Sequence, residues 1–363
     1  MADIGSYNLA EKWALQGLHS ADWAKSFSPY LFKSTNFPTQ IETLQELPML
    51  FESMTSISRE DMLTETRGLS DADLDLLKKV SKEFVKFFMT TFHSNDIVFP
   101  SETLLREFLN YATILPRLTN SDVLDIGSGL GYLPLFFQSG VSPRTYRHFD
   151  VTQSFFISQS LFCSYVFEER YRDLSLERNS TTEIGSHNDV DFGRDNGRFF
   201  PVRLKVPSKV SFEGIPWWKL DRLWQRKYDL VISNANVFEM DPMAFFILFA
   251  GVRKALKPDG MIIHRGLGFS KTVFSSSQLF RYWEQFGFRA LSFVTPKSGH
   301  APVGAEVVIL VGPKHPDYDR ATSDFSTPFL ASDVPVVREM LNLDKPTRPN
   351  PDWNDLLGTI LSR

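Results

Sequence analysis

Nine residues constrain this chain more than any others: Val123-Leu-Asp-Ile-Gly-Ser-Gly-Leu-Gly131. An apolar start reaches an acidic residue, Asp125, and glycines then alternate at Gly127, Gly129 and Gly131, with a helix-like run over 132–138 immediately after. This predicts a buried strand that turns sharply into a helix over backbone almost free of side chains. Glycine suits such a turn because it tolerates dihedrals that other residues avoid and lets a ligand lie directly on the main chain. Dinucleotide-binding turns space their glycines as G-x-G-x-x-G. Here each glycine is one residue from the next, so the turn is of another kind.

Size and composition narrow the setting. At 363 residues the chain can bury a full core, and 42% hydrophobic with 23% charged residues is the balance of a globular protein. Thirty-nine basic residues stand against 43 acidic ones with no basic run, so no nucleic-acid partner is expected. Cys163 is the single cysteine, which excludes an internal disulfide and a cysteine zinc site. The first residues lack a charged-then-apolar leader and no run of 18 apolar residues occurs, so the expectation is a cytosolic protein without membrane contact. Thirty-three phenylalanines imply a phenylalanine-rich core, some of whose rings are alternatively free to line a pocket.

The chain divides into three regions. Residues 1–115 read as helical, with apolar residues at helical spacing from Leu74 to Phe88 and again over 101–115. This region is expected to be a lid, a substrate surface or a dimer surface. Residues 116–315 alternate strand and helix: 123–126, 145–150, 199–206, 228–233 and 261–264 as strands, with helices over 132–138, 154–172, 241–256 and 278–285. Two further strands, 290–294 and 305–311, are joined by a loop alone. Such alternation gives a mostly parallel sheet covered on both faces, closed by an antiparallel edge strand. Polar residues 173–198 read as an exposed insertion and 316–363 as a loop-rich extension.

Further features order a site around the glycines. Asp150 ends the second strand, nineteen residues after Gly131, where a carboxylate accepts hydrogen bonds from ribose hydroxyls. Ligands of open parallel sheets sit at the carboxyl ends of the strands. That places Asn234, Asn236, Glu239 and Met240, after the run Tyr228-Asp-Leu-Val-Ile-Ser-Asn, on the same rim.

The acidic residue before three alternating glycines, with Asp150 in order behind it, resembles the class I S-adenosylmethionine (SAM) methyltransferases. The resemblance implies a Rossmann-like sheet of seven strands with a helical N-terminal region, and SAM as cofactor. It implies that Asp125, Gly127, Ser128, Gly129, Gly131, Asp150, Val151 and Asn234 bind it, Asp125 near the methionine amino group. Ile215-Pro-Trp-Trp-Lys219, Phe238-Glu-Met240 and the segment from Asp150 to Leu161 further resemble the sugar O-methyltransferases. That narrower likeness implies a sugar or glycoside hydroxyl as methyl acceptor. The chain departs from it in carrying Asn-Ala-Asn-Val at 234–237, where a Ser-Phe pair is usual.

Methyl transfer to a hydroxyl needs alignment of the reactants and one proton acceptor. His264, at the end of the fifth strand, and Glu239 are the two catalytic candidates; the alternative for His264 is a packed strand-end histidine. Trp217, Trp218, Asn236 and Arg265 are the substrate-binding candidates. The tryptophans either stack on adenine or sugar or pack in the core, and Arg265 either holds an anionic acceptor or forms a structural ion pair. Acidic residues near the strand ends are scattered, so no metal is expected. Two other readings stay open: a methyltransferase of a phenol, carboxylate or amine, and a protein that binds the cofactor without chemistry. A homodimer through the N-terminal helices is a further expectation.

Overall fold

A computed structural model describes residues 4–17, 38–53, 69–176, 211–234, 236–237, 240, 242–265, 276–295, 306–324, 327–344 and 352–362. Its centre is a nine-stranded sheet, two strands more than expected. In chain order the strands are β1 (Asp122–Ile126), β2 (Thr145–Asp150), β3 (Tyr171–Asp173), β4 (Phe212–Pro216), β5 (Tyr228–Asn234), β6 (Leu256–Arg265), β7 (Arg289–Val294), β8 (Val307–Val311) and β9 (Phe329–Leu330). Across the sheet they lie β3-β4-β2-β1-β5-β6-β8-β7-β9. The pairs from β3 to β6 are all parallel, whereas β8 runs antiparallel to both β6 and β7, and β9 antiparallel to β7. The long antiparallel strand is therefore internal, not at the edge as expected; it is the two-residue β9 that forms that edge. β9 comes from the region read as a loop-rich extension.

The other surplus strand, β3, falls where a helix was expected to run on to 172. Helix α6 (Gln153–Phe167) stops earlier because Glu168 turns to positive φ, and a 3-10 turn leads into β3. The strand beside β2 is β4, which carries the start of the Ile-Pro-Trp-Trp segment. The third strand expected at 199–206 and nearly all of the 173–198 insertion lie outside the described residues.

The remaining helices are α1 (Ile4–Gly17), α2 (Leu47–Ser53), α3 (Asp71–Phe92), α4 (Ser101–Leu118), α5 (Leu133–Ser139), α7 (Pro242–Ala255), α8 (Ser276–Gln285), α9 (Pro335–Met340) and α10 (Trp353–Leu361). α3 begins at a reciprocal cap: Ser70 Oγ accepts from the Asp73 amide, and Asp73 Oδ2 from the Ser70 amide. Its stripe Leu77, Val80, Phe84, Phe87 and Phe88 is buried, with Phe87 stacked on Phe162 of α6 at 4.1 Å. Much of the phenylalanine content is thus core. α4 continues through Pro116 to Leu118, beyond the expected break. Buried side chains from Ile4 to Ile360 form one contiguous apolar cluster.

Successive side chains of a strand point to opposite faces, and β6 displays this at the rim. His264 packs its ring near Trp283 of α8, while Arg265 Nη2 donates to Thr113 Oγ1 of α4 at 3.0 Å. Helices α4 and α8 therefore cover opposite faces. α4, which touches β5, packs beside α5, and α5 packs beside α6, which covers β2, β3 and β4.

Candidate functional site

The three glycines after β1 all have positive φ, at +63°, +57° and +77°, but the space above each differs. A Cβ on Gly127 would strike the Asn236 side chain, and one on Gly131 would come within 2.9 Å of the Gln159 backbone. Among the described residues, chain neighbours apart, nothing lies within 4 Å of the Cβ position on Gly129. Two glycines therefore admit protein, and the middle one faces open space. Next to it Ser128 Oγ is buried with no hydrogen-bond partner among the described residues. A buried polar atom left unpaired beside backbone that no described side chain covers is what a site for a polar ligand presents.

Asp150, at the carboxyl end of the adjacent strand, is buried. Its Oδ1 accepts from the Thr152 amide at 2.8 Å and its Oδ2 from Gln159 Nε2 at 2.9 Å. Val151 follows, half-buried. Asp125 is buried too, and its Oδ2 accepts from the Tyr146 hydroxyl at 2.8 Å. Burial, then the nearby charge of Glu107, push the Asp125 carboxyl far above the usual range, with Asp150 adding to the effect and the Tyr146 bond opposing it. Glu107 projects from α4, where Asn110 Nδ2 donates to it at 3.2 Å. Burial lifts it to about 7 against the Asn110 bond and the charges of Arg265 and Arg106. Burial thus raises both carboxyls on this side of the rim.

At the end of β5, Asn234 is half-buried and registers with Arg265. Asn236 reaches back to β1: its Nδ2 donates to the Ile126 carbonyl, and its Oδ1 accepts from Ser233 Oγ at 2.7 Å. It thereby ties two strand ends together beneath Gly127. His264 is fully buried with Nδ1 3.2 Å from that same Ser233 Oγ. A hydrogen-bonded line thus runs from His264 through Ser233 and Asn236 to the glycine turn, whereas Arg265 is turned away toward α4. Glu239 lies outside the described residues.

Trp217 and Trp218 follow β4 and are only 2% and 7% exposed. Trp217 Nε1 donates to Glu11 Oε1 at 2.8 Å, and the Trp218 ring meets Tyr7 edge-on at 4.9 Å, both partners being on α1. Gln153 Nε2 also donates to Asn8 of α1, at 3.0 Å. The tryptophans are thus packed under α1. The buried Tyr7 hydroxyl has no hydrogen-bond partner among the described residues and lies in the field of Glu11, Asp150 and Asp173. Tyr7, Glu11 and Glu107 belong to no local pattern, and Gln159 lies in the Asp150–Leu161 segment without being singled out in it. Their one signal is a polar residue on an otherwise apolar helical stripe.

Among the described residues no group of three His, Cys, Asp or Glu is placed to hold a metal, and no helix is long and apolar enough to cross a membrane. No protein-family model and no curated protein matches the chain. Solved structures similar to it include magnesium protoporphyrin IX methyltransferase from Synechocystis PCC 6803 with bound SAM, 10% identical, with TM-score 0.35 over 68% of this chain and 100% of that one. An O-methyltransferase family protein from Burkholderia thailandensis is 10% identical, with TM-score 0.36 over 66% and 68%. The N-methyltransferase NodS from Bradyrhizobium japonicum is 12% identical, with TM-score 0.34 over 57% and 96%.

Proposed function

We propose that this chain is a SAM-dependent methyltransferase acting on a hydroxyl of a sugar or glycosylated metabolite. The observation that carries the cofactor is the space over Gly129, open among the described residues, beside the Ser128 hydroxyl that none of them partners, at one rim with Asp150. Gly127, Ser128, Gly129 and Gly131 form the cradle, Asp150 with Val151 takes the ribose, and Asp125 and Asn234 face the methionine end. When bound, the cofactor supplies a methyl group on a sulfonium leaving group. The protein then has to align the acceptor and take one proton. His264 or Glu239 takes it, His264 being oriented through Ser233, while Asn236 holds the strand end in place. Trp217 and Trp218, packed under α1, and Arg265, held by Thr113 of α4, support the acceptor side from behind and do not line it. The sugar acceptor rests on the resemblance of the Ile215–Lys219 and Phe238–Met240 segments.

Calorimetry with SAM or S-adenosylhomocysteine is expected to show binding that Asp150→Ala weakens by about ten- to a hundredfold, the scale of hydrogen bonds to a charged group. Absence of binding to the unaltered protein would sink the cofactor reading. Labelled SAM offered with nucleotide sugars, glycosides and small phenols tests the acceptor, and methylation of phenols alone would remove the sugar. His264→Ala is expected to cut turnover by roughly a hundredfold or more while leaving cofactor affinity in place. Full turnover in that variant would move the base to Glu239.

A further inference from the structure

Gln159, on the inner face of α6, has a side chain whose two N–H groups both have acceptors. Nε2 lies 2.7 Å from the Gly129 carbonyl and 2.9 Å from Asp150 Oδ2. Both are acceptors, so the amide can point only one way: its two N–H groups are donated there and Oε1 is left facing His148 Nδ1 at 2.8 Å. An oxygen at that place requires the proton on Nδ1. His148 Nε2 lies 2.9 Å from the Tyr171 hydroxyl, whose oxygen is also 2.8 Å from Ser160 Oγ. Burial agrees with this assignment, because it drives His148 down to about 3 and keeps the ring neutral. The backbone of the same helix presses on Gly131, where a Cβ would be 2.9 Å from Gln159 Cα. One residue earlier, Ser158 Oγ donates to the Leu130 carbonyl at 2.9 Å. The glycine loop is therefore held from behind by two consecutive residues of α6.

We infer that Gln159 is the positioning residue of the nucleoside site, holding the Gly129 carbonyl and the Asp150 carboxylate at one fixed separation while His148 holds Gln159. The inference rests on the cofactor reading above. Two sides of one ligand, the part lying on the loop and the ribose diol, meet groups that a single amide bridges. A ribose hydroxyl placed on Asp150 is then already in register with the open space over Gly129, and little rearrangement is left to oppose binding.

The test combines a ligand change with a residue change. S-adenosylhomocysteine and its 2′-deoxy analogue are titrated by calorimetry into the full chain and into Gln159→Leu. Removal of the hydroxyl is expected to cost the unaltered protein about tenfold in affinity, the scale of a hydrogen bond to a charged group. In Gln159→Leu the parent ligand binds more weakly, and the penalty for the missing hydroxyl shrinks to less than about threefold, the two changes being coupled. An equal penalty in both proteins overturns the inference, because damage to the fold alone would lower both affinities and leave their ratio. Gln159→Glu, of nearly the same volume, serves if the leucine variant does not fold; it loses the donors and is expected to lose the discrimination as well. Nitrogen NMR of the His148 ring in the unaltered protein gives a readout without ligand. A neutral Nδ1–H ring is expected, and an Nε2–H ring overturns the assignment. Failure of the unaltered protein to bind S-adenosylhomocysteine strikes the cofactor reading instead, and the ring measurement still decides whether the bridge exists.

Discussion

Gly129→Val abolishes binding of S-adenosylhomocysteine while leaving a folded protein. The substitution points into a place over the loop where, among the described residues and chain neighbours apart, no atom lies within 4 Å, so it meets no collision with them. At a φ of +57° it costs roughly 1–2 kcal/mol of backbone strain. The affinity loss is expected to exceed about a hundredfold, equivalent to some 2.7 kcal/mol, because a branched side chain takes the volume in which the ligand has to lie. Gly131→Ala should instead lose stability. Its methyl group would meet Gln159 Cγ at 2.4 Å and Gln159 Cα at 2.9 Å, so strain and overpacking together cost roughly 3 kcal/mol of stability. Thermal unfolding beside calorimetry separates the two results. Unchanged affinity in Gly129→Val would show that no ligand rests on the loop.

Glu107→Gln is expected to raise stability by about 3 kcal/mol above neutral pH and by almost nothing near pH 4.5. Glu107 moves from 4.5 when exposed to about 7 when folded, its burial outweighing the Asn110 bond and the neighbouring arginine charges. Between those values the folded chain holds a proton that the unfolded chain has released, so stability falls as pH rises through the window. Below it the carboxyl is protonated in both states and there is no penalty; above it the penalty is fully present and constant. Glutamine keeps an oxygen for Asn110 Nδ2 and cannot ionise. The Asp125 carboxyl, raised in part by the Glu107 charge, is relieved by the same change and adds with the same sign. Urea unfolding of both proteins across this pH range measures the difference, and a constant gap would show that Glu107 ionises normally in the folded chain.

These two outcomes divide along the line between local and distant information. Within the described part of the central region, strands and helices form where a continuous apolar run or a helical stripe states them, as at 123–126, 228–233 and 278–285. What escaped is short or nonperiodic. The three-residue β3 and two-residue β9 have no pattern of their own and exist because a sheet edge offers them hydrogen bonds. The placement of β8 between β6 and β7 follows from pairing, and order along the chain does not reveal pairing. Burial of Trp217 and Trp218 depends on α1, whose Glu11 lies 206 positions from its indole partner.

By itself the sequence determined the turn at 127–131 and the acid at the end of each of the first two strands. Backbone dihedrals and strand ends are local properties, and glycine or an apolar run states them directly. Only the tertiary structure decided that Gly127 and Gly131 make room for Asn236 and Gln159 while Gly129 is left open. It alone turned His264 and Arg265 to opposite faces and drew Glu107 beneath α4 toward Asp125. Each of these depends on which groups fill the volume around a side chain, and packing brings those groups from positions far apart in the chain.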